Sequence, residues 1–333
     1  MHERLLSILR CPVSGSRLRL EDGAWVAGEI ESGALVAESG GASYPIVRGV
    51  PRFVTPDNYA ANFGVQWNRF RATQLDSHSG LSISASRFFE FTQWHSGDLH
   101  GKWVLDAGCG AGRFAEVALG LGLEVVAIDY SIAVDACRAN LGHHPRLHVL
   151  QADIYHLPFA PASFGGAYSL GVLQHTPQPR AAFEAVCAQL APGGRIAVDV
   201  YPKLLLNILW PKYWLRPFTR RLPADRLLRL VEWCVPFLLP ISRAVSLIPV
   251  VGRRLRYVVP VVNYETVYPL SPRQLREWAV LDTFDMLSPA HDHPQSAATL
   301  RGWFAGAGLE DVQVERRGFL VGRGRRAEVD ACA

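Results

Sequence analysis

The sequence predicts an α/β protein: a doubly wound, mostly parallel sheet with a small N-terminal β-rich cap and a helical insertion. Three observations predict it. Between residues 101 and 200, apolar strand-like runs alternate with helical stretches, the rhythm of βαβ units. The first run ends in VLDAGCGAGRF, Val104 to Phe114, where an aspartate is followed by glycines at 108, 110 and 112. Glycines at that density suit a strand-to-helix turn that a ligand approaches closely. Finally, the rhythm breaks at 201–290 and resumes with one helix and two strands, which would complete the sheet across the insertion.

Each element follows in order. Residues 1–54 are short β-like pieces rich in Gly and Ser, ending in ASYPIVRGVPRFV. Residues 55–100 set Tyr59, Phe63, Trp67, Phe88 and Phe91 among polar residues, as expected of helices laid over a core. In 101–200 the strands are KWVLDAG, LEVVAIDYS, RLHVLQAD, GAYSLGV and GRIAVDVY, with helices beginning at Arg113, about Ala133 and about Arg180. An apolar and basic helical insertion fills 201–290, and 291–333 hold the last helix and strands.

At 333 residues, 49% hydrophobic and 19% charged, the chain can bury a sizeable core. Its six cysteines lack paired spacing and MHERLLSILRCP has charges inside its apolar run, so a reducing cytosol without a secretory signal is expected. The net charge of +4 is segregated. Residues 201–260 hold eleven Lys and Arg against Asp225 and Glu232, a balance of +9. No uncharged run there approaches the ~18 to 20 residues that cross a bilayer. Prolines 211, 217, 223, 236, 240 and 249 are expected to break its helices. Three uses stay open for 201–262: a lid on its own core, a peripheral contact with anionic membrane, or a dimer contact.

The glycine loop alone admits two nucleotides. Gly110, Gly112 and Ala115 with Asp129 also fit a nicotinamide-binding unit, so an NAD-dependent oxidoreductase is the alternative. A pyrophosphate, however, wants backbone N–H groups and no nearby carboxylate, and Asp106 stands two residues before Gly108. S-adenosylmethionine (SAM) brings a sulfonium, an ammonium, ribose hydroxyls and an adenine amino group, all of which can use acids. Asp106, Asp129 and Asp153 end or follow successive strands and are expected to converge at the sheet's carboxyl end.

With VLDAGCGAGRF, VVAIDYS, QADIYHLPF, LGVLQHT and LAPGGRIAV in that order, the chain resembles a class I SAM-dependent methyltransferase, densely over 101–200. The resemblance implies a Rossmann-like seven-stranded sheet. It also implies that Asp106, Gly108, Gly110 and Gly112 hold the methionine part, Asp129 with Tyr130 beside it the ribose, and Asp153 with Ile154 the adenine. NFGVQWNRF resembles an entry segment lying across the cofactor, which makes Phe63, Gln66 and Trp67 substrate-side candidates, together with Tyr201 at a strand end. The N-terminal LLSILRCP, CPVS and YPIVRGVPRF resemble the small zinc ribbon that accompanies several methyltransferases. Ser14 stands where a second cysteine would be, so no metal is assigned.

For the chemistry, His175 and the SPAHDHP stretch with His291, Asp292 and His293 are candidate bases for a hydroxyl acceptor. A loop of solvated polar residues, or for His175 a helix N-terminal contact, is the other reading. The expected function is methyl transfer to an oxygen, less readily a nitrogen or carbon, of a small-molecule or lipid- or sugar-linked intermediate. Nucleic acid is not the expected acceptor, because the basic residues are interleaved with aliphatic ones. A non-catalytic SAM-fold module is the remaining rival.

Overall fold

The structure, a computed structural model, describes residues 1–55, 57–95, 97–204 and 210–328. Alternating apolar residues near the N-terminus pair into a four-stranded antiparallel sheet in chain order: β1 (Leu18–Val26), β2 (Glu29–Ala37), β3 (Ser43–Val47) and β4 (Val50–Pro51). Its inward side chains Leu18, Ile30, Leu35 and Ile46 share one apolar core with Leu150, Ile154 and Phe159 of the main unit. The aromatic segment that follows forms α1 (Ala61–Arg69), α2 (Asp76–Ser79) and α3 (Ile83–Thr92).

The βαβ rhythm then yields β5 (Trp103–Ala107), α4 (Arg113–Gly120), β6 (Glu124–Asp129), α5 (Ala133–Leu141), β7 (Leu147–Gln151), β8 (Phe164–Ser169), α6 (Pro179–Ala188) and β9 (Leu190–Val200). After the insertion come α7 (Pro211–Thr219), α8 (Ala224–Ser246), α9 (Gly252–Leu255) and α10 (Pro272–Leu287), then α11 (Ala297–Gly306), β10 (Leu309–Arg317) and β11 (Phe319–Arg326).

The sheet has seven strands in the order β10-β11-β9-β8-β5-β6-β7, and only β11 runs against the rest. β5 lies between β6 and β8, so the strand order reverses there and opens a crevice outside the carboxyl ends, where ligands of such sheets bind. The N-terminal cap closes the β7 edge. Arg52 bridges in parallel to Gln151, and the Phe53 N–H donates to the Gln151 carbonyl at 2.8 Å.

One expectation about the insertion fails. Pro236 and Pro240 were expected to break its helix, yet α8 runs 23 residues through both. Each proline costs about 3 kcal/mol inside a helix. Burial of Leu227, Leu228, Val231 and Val235 against Val280, Leu281 and Phe284 of α10 offsets that cost. Among the described residues, no helix is long and apolar enough to cross a membrane. Residues 205–209, part of the apolar LLLNILW stretch, lie outside the described residues, as does Cys332.

Candidate active site

At the reversal point, the turn from β5 to α4 is pressed between its neighbours. Gly108 has φ +96°, and a Cβ there would lie 2.4 Å from Val172 Cγ2, so only glycine fits. Gly108→Ala should therefore cost about 1–3 kcal/mol of stability through strain and overpacking. A fall in the thermal unfolding midpoint would register it. The Gly110 amide donates to Asp129 Oδ2 at 3.0 Å, while Asp129 Oδ1 accepts from the Ser131 amide at 2.8 Å and its hydroxyl at 2.7 Å. Asp129 thus ties the end of β6 to the glycine turn. Burial raises its carboxyl above the usual range, and these donors oppose the shift.

A cleft of about 850 Å³, counted to its open mouth, lies over this turn. Its floor is Gly108 to Ala111 with Asp129 and Tyr130, and Ile154 and Ala152 form a shelf to one side. Phe63 and Trp67, four residues apart on one face of α1, close over the top, with Trp67 3.1 Å from where a Gly110 Cβ would stand. Leu170, Gly171, Val172, His175 and Thr176 make the opposite wall.

Asp106, expected to hold the methionine part, is buried and does not itself line the cleft. Burial pushes its carboxyl up to about 8, with the nearby Asp129 charge adding to the rise and the Tyr168 hydroxyl opposing it, and its Oδ2 has no hydrogen-bond partner. A buried carboxyl with an unpaired oxygen, which a nearby cation would ionise, a second carboxyl lining the cleft and the apolar Ala152 and Ile154 suit a cationic, hydroxyl-rich and aromatic ligand better than a pyrophosphate. The residues present therefore fit SAM.

His175 is the histidine that reaches the cleft wall. Its Nδ1 faces the His291 carbonyl at 3.0 Å, which assigns the proton to Nδ1 and the lone pair to Nε2. Burial lowers its pKa below the ordinary imidazole value, with Asp285 opposing, so the neutral base form prevails near neutrality.

The other predicted residues lie off the cleft wall, each for a physical reason. Asp153 follows Ala152 and precedes Ile154 of the cleft lining; its Oδ1 accepts from the Tyr155 amide at 3.0 Å and its Oδ2 lies 3.1 Å from His156 Nδ1. Gly112 packs on α5, where a Cβ would lie 2.8 Å from Leu141 Cδ1. Gln66 is fully buried and donates to Asp285 Oδ1 at 3.3 Å, reaching the cleft only through that residue. Tyr201 is packed behind His175, their rings 5.4 Å apart.

Asp292 is held in a cluster of buried cations. Its Oδ2 lies 3.2 Å from Lys212 Nζ and pairs with Arg216, all three side chains being nearly buried. His291 stacks on His293 and meets the Tyr59 ring edge-on, and the His293 amide donates to the Gln174 carbonyl at 2.8 Å. Their backbone holds the His175 loop.

Among the lining residues that were not foreseen are Tyr59, Arg113 and Asp285. Arg113 directly follows the glycine turn and was within reach of sequence reasoning. Asp285 comes from the insertion helix α10, and no local pattern marks it.

In the N-terminal cap, Cys11 Sγ lies 3.3 Å from the Tyr44 hydroxyl and 3.5 Å from the Ser14 amide. The described residues contain no group of three or more His, Cys, Asp or Glu placed to hold a metal.

The fold and this cleft define a class. Residues 105–198 match the family described as a methyltransferase domain, and residues 2–49 match the Trm112p-like protein family. The chain therefore carries a class I SAM-dependent methyltransferase domain behind a Trm112p-like segment.

More particular likenesses cover less of it. A tRNA U34 carboxymethyltransferase of Klebsiella pneumoniae is 36% identical over 110 residues, 32% of this chain and 33% of the relative. A ubiquinone biosynthesis O-methyltransferase of Idiomarina loihiensis is 34% identical over 116 residues, 32% of this chain and 45% of the relative. The chain thus spans less than half the length of these curated relatives. The solved human N-acetylserotonin methyltransferase with SAM aligns at TM-score 0.43 and 14% identity, covering 82% of this chain and 60% of that one. The nicotinamide alternative falls with the methyltransferase match. The expectation that excluded nucleic acid gains no support, since one relative carries a tRNA name and another a small-molecule name.

Proposed function

We propose that this chain transfers the SAM methyl group to an oxygen of a small or lipid-linked acceptor, with His175 as general base. The observation that carries this reading is a buried, neutral imidazole on the cleft wall whose Nδ1 is held by the His291 carbonyl. When bound, SAM supplies a methyl group already activated on its sulfonium.

The chain's own residues do the rest. Asp129 and the glycine turn would orient the ribose and methionine parts, and Ile154 would pack on the adenine. Phe63 and Trp67 exclude water from above, which strengthens polar contacts inside the cleft. As the acceptor oxygen takes the methyl group, its O–H bond breaks and the proton passes to Nε2 of His175. Holding the two reactants in line supplies much of the acceleration.

Asp129→Ala should weaken SAM binding about ten- to hundredfold, or ~1.5–3 kcal/mol, through loss of a buried acceptor that also pins Gly110. Calorimetry on the folded variant measures it. A dissociation constant equal to that of the parent protein would mean the ribose lies elsewhere.

Incubation of the protein with methyl-labelled SAM and separated lipid, small-molecule and tRNA fractions tests the reading itself. Label in the lipid or small-molecule fraction is expected. Label confined to tRNA would overturn the acceptor class, and the absence of any transfer would leave a non-catalytic module.

A further inference from the structure

The insertion is built inside out with respect to water. On α7, Lys212 and Arg216 have side chains only 9% exposed, held by Asp292, and Arg216 also donates to the Met286 carbonyl. Their neighbours Trp214 and Phe218 are 64% and 70% exposed. Charged side chains go inside and large apolar ones outside only where the outside is not simply water.

The pattern continues on α8. Its buried residues Leu227, Val231 and Val235 face α10, while Leu230, Trp233, Phe237 and Ile241, spaced by three, four and four residues, form a second apolar stripe that is exposed. The turn after α8 adds Leu247, Ile248 and Val250, the last fully exposed. Of the 22 exposed large apolar residues among those described, 15 lie between 214 and 258. This concentration marks a surface and not scattered exposure.

Charge selects the occupant. Exposed Arg220, Arg221, Arg226 and Arg229 flank the apolar stripes, and the segment stays strongly positive after its buried Lys212 and Arg216 are set against Asp292. A second copy docked by two-fold symmetry would set these arginines against their own images. RNA would satisfy the arginines but gains little from exposed leucine, isoleucine and valine. An anionic bilayer satisfies both, with apolar side chains in the acyl boundary and arginines among the headgroup phosphates.

We propose that the exposed face of α7, α8 and the 247–251 turn docks this protein on anionic phospholipid membrane as a peripheral, non-spanning contact. The surface is separate from the cleft, so this proposal stands or falls independently of the acceptor. It also places the insertion that bears Asp285 at the lipid boundary, within reach of a lipid-linked molecule.

The test is co-sedimentation of the full chain with vesicles of phosphatidylcholine alone and with about one third phosphatidylglycerol. Binding is expected only to the anionic vesicles, and should weaken at least about tenfold between ~0.1 M and ~1 M salt. The double variant Phe218→Glu, Phe237→Glu should bind at least about tenfold less, with an unchanged unfolding midpoint because both side chains are exposed. Failure to bind anionic vesicles, or equal binding by the variant, would overturn the proposal. So would lipid-free self-association, or retention on tRNA, that the same two substitutions abolish while vesicles go unbound.

Discussion

His175→Ala is expected to lower kcat about 10²- to 10⁴-fold while leaving SAM affinity within about twofold of the parent. The imidazole lines the cleft without sharing the bonds that tie the glycine turn to Asp129, so its loss should spare cofactor binding. The ring is also packed against Phe63 and Tyr201, so kcat is compared on protein whose unfolding midpoint shows it folded.

The pH profile supplies an independent sign. A base must be unprotonated to act, and burial holds the His175 pKa below its ordinary value. The rate should therefore rise with pH along a limb centred below about 6.5 and stay level through neutrality. In His175→Gln that limb should vanish. A parent limb above 6.5, or a variant with parental kcat, would remove His175 from the chemistry.

Asp292→Ala should cost about 3–5 kcal/mol of stability, because it strands two buried cations. Burial alone would raise the Asp292 pKa, but Lys212 and Arg216 outweigh it and hold the carboxyl below its usual range. A depressed carboxyl stabilises the fold at pH values above the unfolded pKa, about 4, and this contribution is lost as pH falls through the folded value. The parent should therefore lose stability on acidification in that window, and the variant should show less of the loss. Chemical denaturation across pH measures both. Asp292 also anchors the loop whose carbonyl holds His175, so the residual folded variant should be slower as well as weaker.

What the sequence made legible was whatever is local. The sheet was readable because each strand's apolar run ends in its own turn signal, and the glycine turn with Asp106 and Asp129 was readable because those residues sit at strand ends. His175, six residues past the end of β8, was visible as a polar residue, and its place on the cleft wall comes from the fold. For Asp153 the structure adds a local turn cap that sequence spacing does not separate from a ligand role. The ion pairs of Asp292 were not legible because its two partners lie about 80 residues away on α7, across the insertion. Asp285 was invisible for the same reason: it reaches the cleft through the packing of α10, not through any motif around it. The prolines of α8 show tertiary burial overriding a backbone preference.

The cap on β7 has a further meaning once its covalent attachment is considered. Arg52 and Phe53 hold it to the sheet edge, and a few residues later the same chain enters α1, whose Phe63 and Trp67 roof the cleft. A short tether raises the effective local concentration of one module beside another to the millimolar range. The cap can therefore stay seated through an interface too weak to retain a free polypeptide. Its occupancy is insensitive to dilution, and the roof of the cleft is delivered together with the edge that supports it.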